Sequence, residues 1–443
     1  MRNIPDLAAE FDVVVVGSGS SGATAAIAAA REQARVCLLE RHSFLGGTST
    51  AVLDTFYGFY TPGTRSLKVV AGIADDVVAR LKQLDSVLER PNTYGAGKGI
   101  TYHPDYLKCA WEQLVTESGV SVFLNAWVQD VEVNAGRISS VVVATKRGLS
   151  RITSLIFIDA SGDADLCYWA GSPHVIAGEH EDAQSLTTTF RMCNVDTGAR
   201  KSVGKDFLHD AMQTASQAGY RLPRREGSDH PTTIGGVFAT NMTRVQSFER
   251  RADGVVVNAT DPEFLTRAEM EGRRQALEYI RFLRNYIPGY QSAGLAAMSS
   301  QIGVRETRRI IGDYVLTRED VLGARQFDDQ IALCGAPIED HGTGEGTKWV
   351  YLPDGQCVGI PYRTLLPQQL SNVLVTGRCF SATHDAHASV RSMAQCMAMG
   401  QAAGVAAALC AAKKCDTRSV PFHALRERLV ATRAVLQVEK TPE

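Results

Sequence analysis

The sequence predicts an α/β fold: a parallel sheet begun by a βαβ unit, extended by an antiparallel β-meander and interrupted by an inserted α+β segment. Three observations predict it. Residues 11–40 read as strand, glycine-rich turn, helix and strand; β-rich segments follow one another between 120 and 160; strand and small-residue helix return after 372.

The 443 residues carry 46 Lys plus Arg against 48 Asp plus Glu, a formal net charge of -2, with 44% hydrophobic residues and 39 Gly. That balance suits a globular chain with room for two or three domains, or for one large domain with an insertion. No basic stripe interleaved with aromatics is present, which argues against a nucleic-acid partner. The apolar stretches Asp12–Gly17 and the Ala-rich run after Ala402 are too short or too broken to span a bilayer. The opening MRNIPDLAAEF lacks the regions of a signal peptide, so a cytoplasmic location without a membrane span is expected. The cysteines are scattered without a Cys-x-x-Cys pair, which disfavours a dithiol redox centre.

Val13–Val16 form the β-branched run of a buried parallel strand, Ala23–Arg31 are strong helix formers, and Arg35–Leu39 make a second strand. Tyr57–Thr64 read as a loop whose Tyr57, Phe59 and Tyr60 could be core or cavity wall. Leu67–Leu88 have helical spacing, and another helix starts behind Pro104. VSVFLN, AWVQDVEVN, ISSVVVATK and ITSLIFIDA are strands, with Ala135-Gly136 as a hairpin turn. From Gly171 to Leu333 the strands weaken around the polar stretch Arg221–Asp229 and the helix-like EFLTRAEMEGRRQALEYIRFLRNYI. The expected units are therefore 1–170, an inserted substrate or cap domain at 171–333, and 334–443, which ends in the strand NVLVTG and a helix from about Ser389 to Ala411.

Gly17, Gly19 and Gly22 form G-x-G-x-x-G between strand and helix, and each has a mechanical task. Gly17 permits the tight turn, Gly19 lets backbone approach a pyrophosphate, and Gly22 lets helix and strand pack closely. The helix start, with Ser20 and Ser21, presents unpaired N–H groups to phosphates, and Glu40, followed by Arg41, can accept ribose hydroxyls. A dinucleotide is predicted; the motif does not separate FAD from NAD.

The segments GSGSSGATAA, LLERHSFLGGTST, LIFIDASGDADL and NVLVTGRCFSATHDAHASVRSMAQCMAMGQAAGVAAA resemble FAD-dependent oxidoreductases of the glutathione-reductase and succinate-dehydrogenase type, and most of all their large FAD-oxidoreductase branch. The resemblance implies a Rossmann-type FAD-binding domain. In it Gly46, Gly47, Thr48 and Ser49 lie along the diphosphate and flavin, and Val128, beside Trp127, meets adenine. Ala160, Gly162 and Asp163 form the second cofactor-contacting strand end. Gly377 and Arg378 match the third motif, where the family often has an acid. The helix start near Ser389–Met393, with Val390 and Arg391, faces the flavin pyrimidine edge. FAD is expected to be non-covalent, because His42 stands closer to the Gly-Gly pair than the flavin-linked histidine of succinate dehydrogenase does.

No second G-x-G-x-x-G follows a strand, so electrons are expected to pass to or from oxygen, free nicotinamide or a carrier protein, with no metal. The first reading is hydride transfer at flavin N5 to or from a small organic substrate. The alternatives are a flavin monooxygenase, against which DASGDADLCYWAG lacks the hydroxylases' Ser and Arg, and a non-catalytic flavin redox sensor. Arg305, in GVRETRR, is either a bidentate anion contact or part of a salt-bridged face. His384 and His387 are read as loop residues bordering the flavin, one of them the acid/base; capping and metal binding are the competing readings. The loop HGTGEGTKW, 341–349, is a hairpin that could cover the pocket.

Overall fold

Phe11–Val16 occupies the middle of a seven-stranded sheet, where a continuous β-branched run buries both its faces. The computed structural model describes residues 10–64, 66–91, 97–342 and 346–438. The strand pairs in parallel with Val36–Leu39 and Gly148–Asp159, setting Val15 opposite Leu38 and Ile158. Val13 and Val15 enter one core, Val14 and Val16 the other. Beyond Gly148–Asp159 the sheet turns antiparallel through Arg137–Thr145 and Trp127–Asn134, while Val373–Val375 pairs in parallel with Gly148–Asp159. At the hairpin, Ala135 and Gly136 have φ of 46° and 74°, the two-residue turn whose twist suits neighbouring strands.

The inserted segment has its own antiparallel sheet, ordered Asp229–Pro231, Phe238–Thr240, Phe190–Cys193, Gly294–Met298. Helices Lys205–Gln217 and Pro262–Tyr286 pack in a separate cluster with Phe190, Met212, Tyr279 and Phe282. The long helix starts where Asp261 accepts a hydrogen bond from Phe264 N and Pro262 takes the first position. The boundary expected at 333/334 falls inside the strand Gln330–Cys334. That strand pairs with Val358–Pro361 and buries Ile331, Ala332 and Leu333 in the core beneath the main sheet.

Two helices are shorter than their patterns suggest. The one expected over 67–88 runs Ile73–Gln83, because Gly72 (φ 75°) and Asp85 (φ 50°) leave helical geometry. The closing helix is split: His384–Val390 forms a short helix, Ser392 is extended at φ -57° and ψ 146°, and Met393–Lys413 starts afresh. By length and composition Met393–Lys413 could cross a membrane, but 83% of its most apolar stretch is buried inside the protein. It lies against Ser20–Arg31 backbone to backbone. A Cβ on Gly400 would stand 2.2 Å from the Ser21 carbonyl oxygen, and one on Gly404 2.2 Å from that of Ala25.

This contact makes two effects compete in Gly404→Ala. Helix propensity favours alanine by about 1 kcal/mol, whereas overpacking costs about 1–3 kcal/mol. Since the clash is with backbone, which cannot rotate away, the variant should unfold at lower urea concentration than wild type. An equal or higher midpoint would show that the helices separate freely.

Candidate functional site

A cavity of about 290 Å³ runs from the glycine loop to the inserted segment. Its near end is lined by Gly17, Gly19, Ser20 and Ser21 with Glu40 and Arg41; Gly47, Thr48, Ser49 and Val128 continue it. Ala160, Gly162, Asp163, Gly377 and Arg378 form its floor, and Thr187, Asn241, Arg305, Arg391 and Met393 close the far end.

The three motif glycines differ in what holds them. At Gly17, φ is 92° and a Cβ would stand 2.4 Å from the Ala160 oxygen; at Gly22 it would stand 1.9 Å from the Gly17 oxygen. Gly22 therefore packs helix on strand and does not line the cavity. Gly19 has φ -57° and ψ 176°, open to any residue, and a Cβ there would meet no protein atom within 4 Å. The following helix has no side-chain cap, so its first N–H groups are left to whatever enters the cavity.

Gly46 departs from expectation. It is absent from the cavity wall; its N–H donates to Ser18 O (2.9 Å) in a bridge that seats the Gly-Gly pair on the glycine loop. Gly47 does line the cavity, and a Cβ there would stand 2.9 Å from Gly19 Cα. Glu40 is buried and pins the same loop: its Oε2 accepts from Ser18 N (2.9 Å) and Oγ (2.5 Å), its Oε1 from His42 N (2.8 Å). A carboxylate has about four acceptor directions, so one remains for the cavity. At the outer end the Arg41 guanidinium lies 6.0 Å from the Trp127 ring centroid.

Arg378 stands where the resemblance leads one to expect an acid. Its Nε donates to Gly162 O (2.9 Å), one Nη to Val304 O and the other to Asp163 Oδ1 (2.5 Å). It thereby ties the second motif to the inserted segment. Thr307 Oγ1 also donates to Asp163 Oδ1 (2.6 Å).

The histidines are placed differently from their expected setting. Both lie on the helix His384–Val390, not in a loop, and neither lines the cavity; Val390 is likewise buried away from it. His387 is 0% exposed and its Nε2–H donates to Arg378 O (2.8 Å). Burial holds its pKa well below the ordinary value, so the ring is neutral. His384 has Nδ1 2.9 Å from Glu306 Oε1 and Nε2 3.5 Å from Asp340 Oδ1. Burial opposes its charge, but the two carboxylates outweigh that and raise its pKa to about 10. Both rings are thus held by protein groups: His384 between two carboxylates and His387 on a backbone carbonyl.

The run GVRETRR divides between its two expected roles. Glu306 pairs with Arg309 (2.6 Å), Arg309 also with Glu181, and Arg308 with Asp165 (2.8 Å). Arg305 faces the cavity instead, with Nη1 donating to Ser185 O and to Thr187 Oγ1 (2.7 Å). Burial and the neighbouring Arg391 charge push its pKa down to about 9.

Sequence reasoning missed several groups gathered around this end. Glu339 Oε1 lies 2.8 Å from His341 Nε2. Burial and the Arg305 charge lower His341 to about 3, so it is neutral. Arg224 donates to the carbonyl of cavity-lining Asn241 (3.2 Å), and Arg244 to Gly346 O (3.0 Å). No spacing marks these residues, which come from separate turns and from the hairpin Ile338–Asp340/Lys348–Val350. Residues 343–345 of the expected covering loop lie outside the described residues.

The charged His384 gives a pH test. Its pKa is raised from 6.5 to about 10, so its contribution to stability is complete below pH 6.5 and is lost as pH rises through 10. The unfolding free energy of His384→Gln should therefore fall less than that of wild type between these values. Parallel profiles would contradict a charged His384.

A family model described as FAD dependent oxidoreductase matches residues 12–429. No curated protein sequence matches the chain. Solved structures similar to it include a geranylgeranyl bacteriochlorophyll reductase-like protein from Thermoplasma acidophilum, 13% identical over 96% of this chain and 84% of that one (TM-score 0.47). The flavin-dependent brominase Bmp2 is 14% identical over 95% and 83% (TM-score 0.47). The p-nitrophenol 4-monooxygenase PnpA from Pseudomonas putida DLL-E4 is 12% identical over 98% and 87% (TM-score 0.44). With nearly its whole length matched, from the glycine loop to the closing helices, the chain belongs to the FAD-dependent oxidoreductase family and is an enzyme that uses FAD.

Proposed function

We propose that the cavity holds FAD non-covalently with its diphosphate at the glycine loop, and that a small organic substrate exchanges a hydride with flavin N5 at the end lined by Thr187, Asn241 and Arg305. The observation carrying this reading is that one continuous cavity joins the glycine loop to Arg305. The residues fit the cofactor. Gly19 leaves space that no protein atom fills, the uncapped N–H groups of Ser20 and Ser21 suit phosphate, and Glu40 retains an acceptor for a ribose hydroxyl.

When bound, FAD supplies a two-electron store that accepts or donates hydride. The chain does the rest by placement. Gly47, Thr48 and Ser49 line the path between the two ends, Val128 and Trp127 flank the adenine end, and Ala160, Gly162, Asp163 and Gly377 form the floor. Arg391 and the start of Met393–Lys413 bring positive charge to the far end, which favours electron-rich flavin. His42 lines the same cavity, and its Nε2 accepts from Arg41 Nε (3.3 Å). The second redox partner in this reading is oxygen, free nicotinamide or a carrier protein.

The purified protein should be yellow and release FAD into solution on denaturation. Because a side chain at position 19 meets no protein atom, Gly19→Val should have the thermal midpoint of flavin-free wild type yet fail to take up flavin. Full FAD occupancy in that variant would place the diphosphate elsewhere. Turnover under isotopically labelled oxygen should leave no label in the organic product; incorporation of one labelled atom would favour the monooxygenase reading.

A further inference from the structure

Four arginines meet at the far end of the cavity, and among the described residues no carboxylate lies within ion-pairing distance of any of them. Arg305 and Arg391 line it; Arg224 and Arg244 stand behind, 9% and 8% exposed. Among the described residues none of the four forms an ion pair. Arg224 Nε, Arg244 Nη2 and Arg391 Nε are buried with no hydrogen-bond partner. The nearby carboxylate of Glu339 accepts a hydrogen bond from neutral His341, 2.8 Å away, and keeps its own charge beside Arg305 and Arg391, one buried carboxylate against four guanidinium groups. On Arg305, Nη1 is bonded to Ser185 and Thr187, while the Nε and Nη2 edge has no partner among the described residues.

Burying guanidinium groups without an ion-pair partner is costly, and gathering several of one sign adds repulsion. Cores avoid such an arrangement; binding sites use it, because an incoming anion supplies the missing charge. The FAD diphosphate, in the reading above, lies at the other end of the cavity and does not neutralise this cluster. The unpartnered edge of Arg305 is planar and bidentate, the shape that takes a carboxylate or a phosphate with two parallel hydrogen bonds.

We propose that the substrate is an organic oxyanion, a carboxylate or phosphate, whose charged group is held on the Nε and Nη2 edge of Arg305, with Arg224 and Arg244 as specificity-determining residues that set the field from behind. The proposal rests on the placement of FAD and substrate given above. It makes the two insertion arginines, which touch neither the glycine loop nor its neighbours, determinants of which substrates enter.

The test titrates FAD-loaded protein with malonate, inorganic phosphate and neutral malonamide, following flavin absorbance and, separately, the thermal midpoint. At least one anion should perturb the flavin spectrum saturably, raise the midpoint and bind more weakly as salt rises; malonamide should do none of these. Binding of malonate alone identifies a carboxylate, of phosphate alone a phosphate. Arg305→Gln should weaken the bound anion by about tenfold or more, the loss of a charge-assisted hydrogen-bonded contact. Arg244→Gln should weaken it severalfold with flavin content unchanged, and stands as the test should Arg305→Gln fail to fold. Equal binding of malonamide, no binding of either anion, or unchanged affinity in both variants would overturn the proposal. Protein without flavin would overturn the cofactor reading instead, and the midpoint shift would still report anion binding.

Discussion

The carbonyl oxygens of Ser21 and Ala25 lie only 2.2 Å from where a Cβ of Gly400 or Gly404 would stand. Two helices distant in sequence are thereby pressed together on their backbones, and much of the remaining structure follows. One of them begins at the glycine loop, the other at Met393, and both starts border the same cavity. Helix starts carry partial positive charge from unpaired N–H groups. A single contact between small residues thus aims two such charges into one space. Any substitution that parts the helices moves one end of the cavity against the other.

Along the cavity the character of the positive charge changes. At the glycine loop it comes from backbone N–H groups, and the carboxylates there are engaged by the protein: Glu40 by Ser18 and His42 with one acceptor direction left, Asp163 by Arg378 and Thr307. At the far end it comes from whole guanidinium groups without acid partners. The difference suits a bound nucleotide, which needs shape and a few hydrogen bonds, and a substrate that must be selected by charge. Arg378 spans the two regions by holding Gly162, Asp163 and Val304 together. In this chain an arginine does mechanically what an acid at that position could not, since a carboxylate offers no donors to those carbonyls.

The sequence discloses the βαβ unit because its logic is local. Gly17 is fixed by its positive φ of 92° and Gly22 by the Gly17 oxygen in the same turn, and the β-branched run between Val13 and Val16 has no other comfortable setting. Gly46 is not legible in this way, because its work is a bridge to the glycine loop that only tertiary packing makes. The histidines show the limit most clearly. Their nearness in sequence to the closing helix suggested a cavity position, but the break at Arg391 and Ser392 puts them on a separate short helix. There Glu306, remote in sequence, and the Arg378 carbonyl, in the loop just before, engage the rings. Arg224 and Arg244 leave no pattern in the sequence, since their meeting with Arg305 brings together positions about 60 to 80 residues apart within the insertion.

The central claim is that one cavity seats the dinucleotide and the substrate end to end, with the diphosphate at the glycine loop. A crystal structure of the yellow protein tests it most directly. The account predicts the diphosphate within hydrogen-bonding distance of the Ser20 and Ser21 N–H groups and the flavin ring between Gly47 and Arg391. A dinucleotide bound in the reverse sense, with adenine beside Arg305 and flavin beside Trp127, would contradict it.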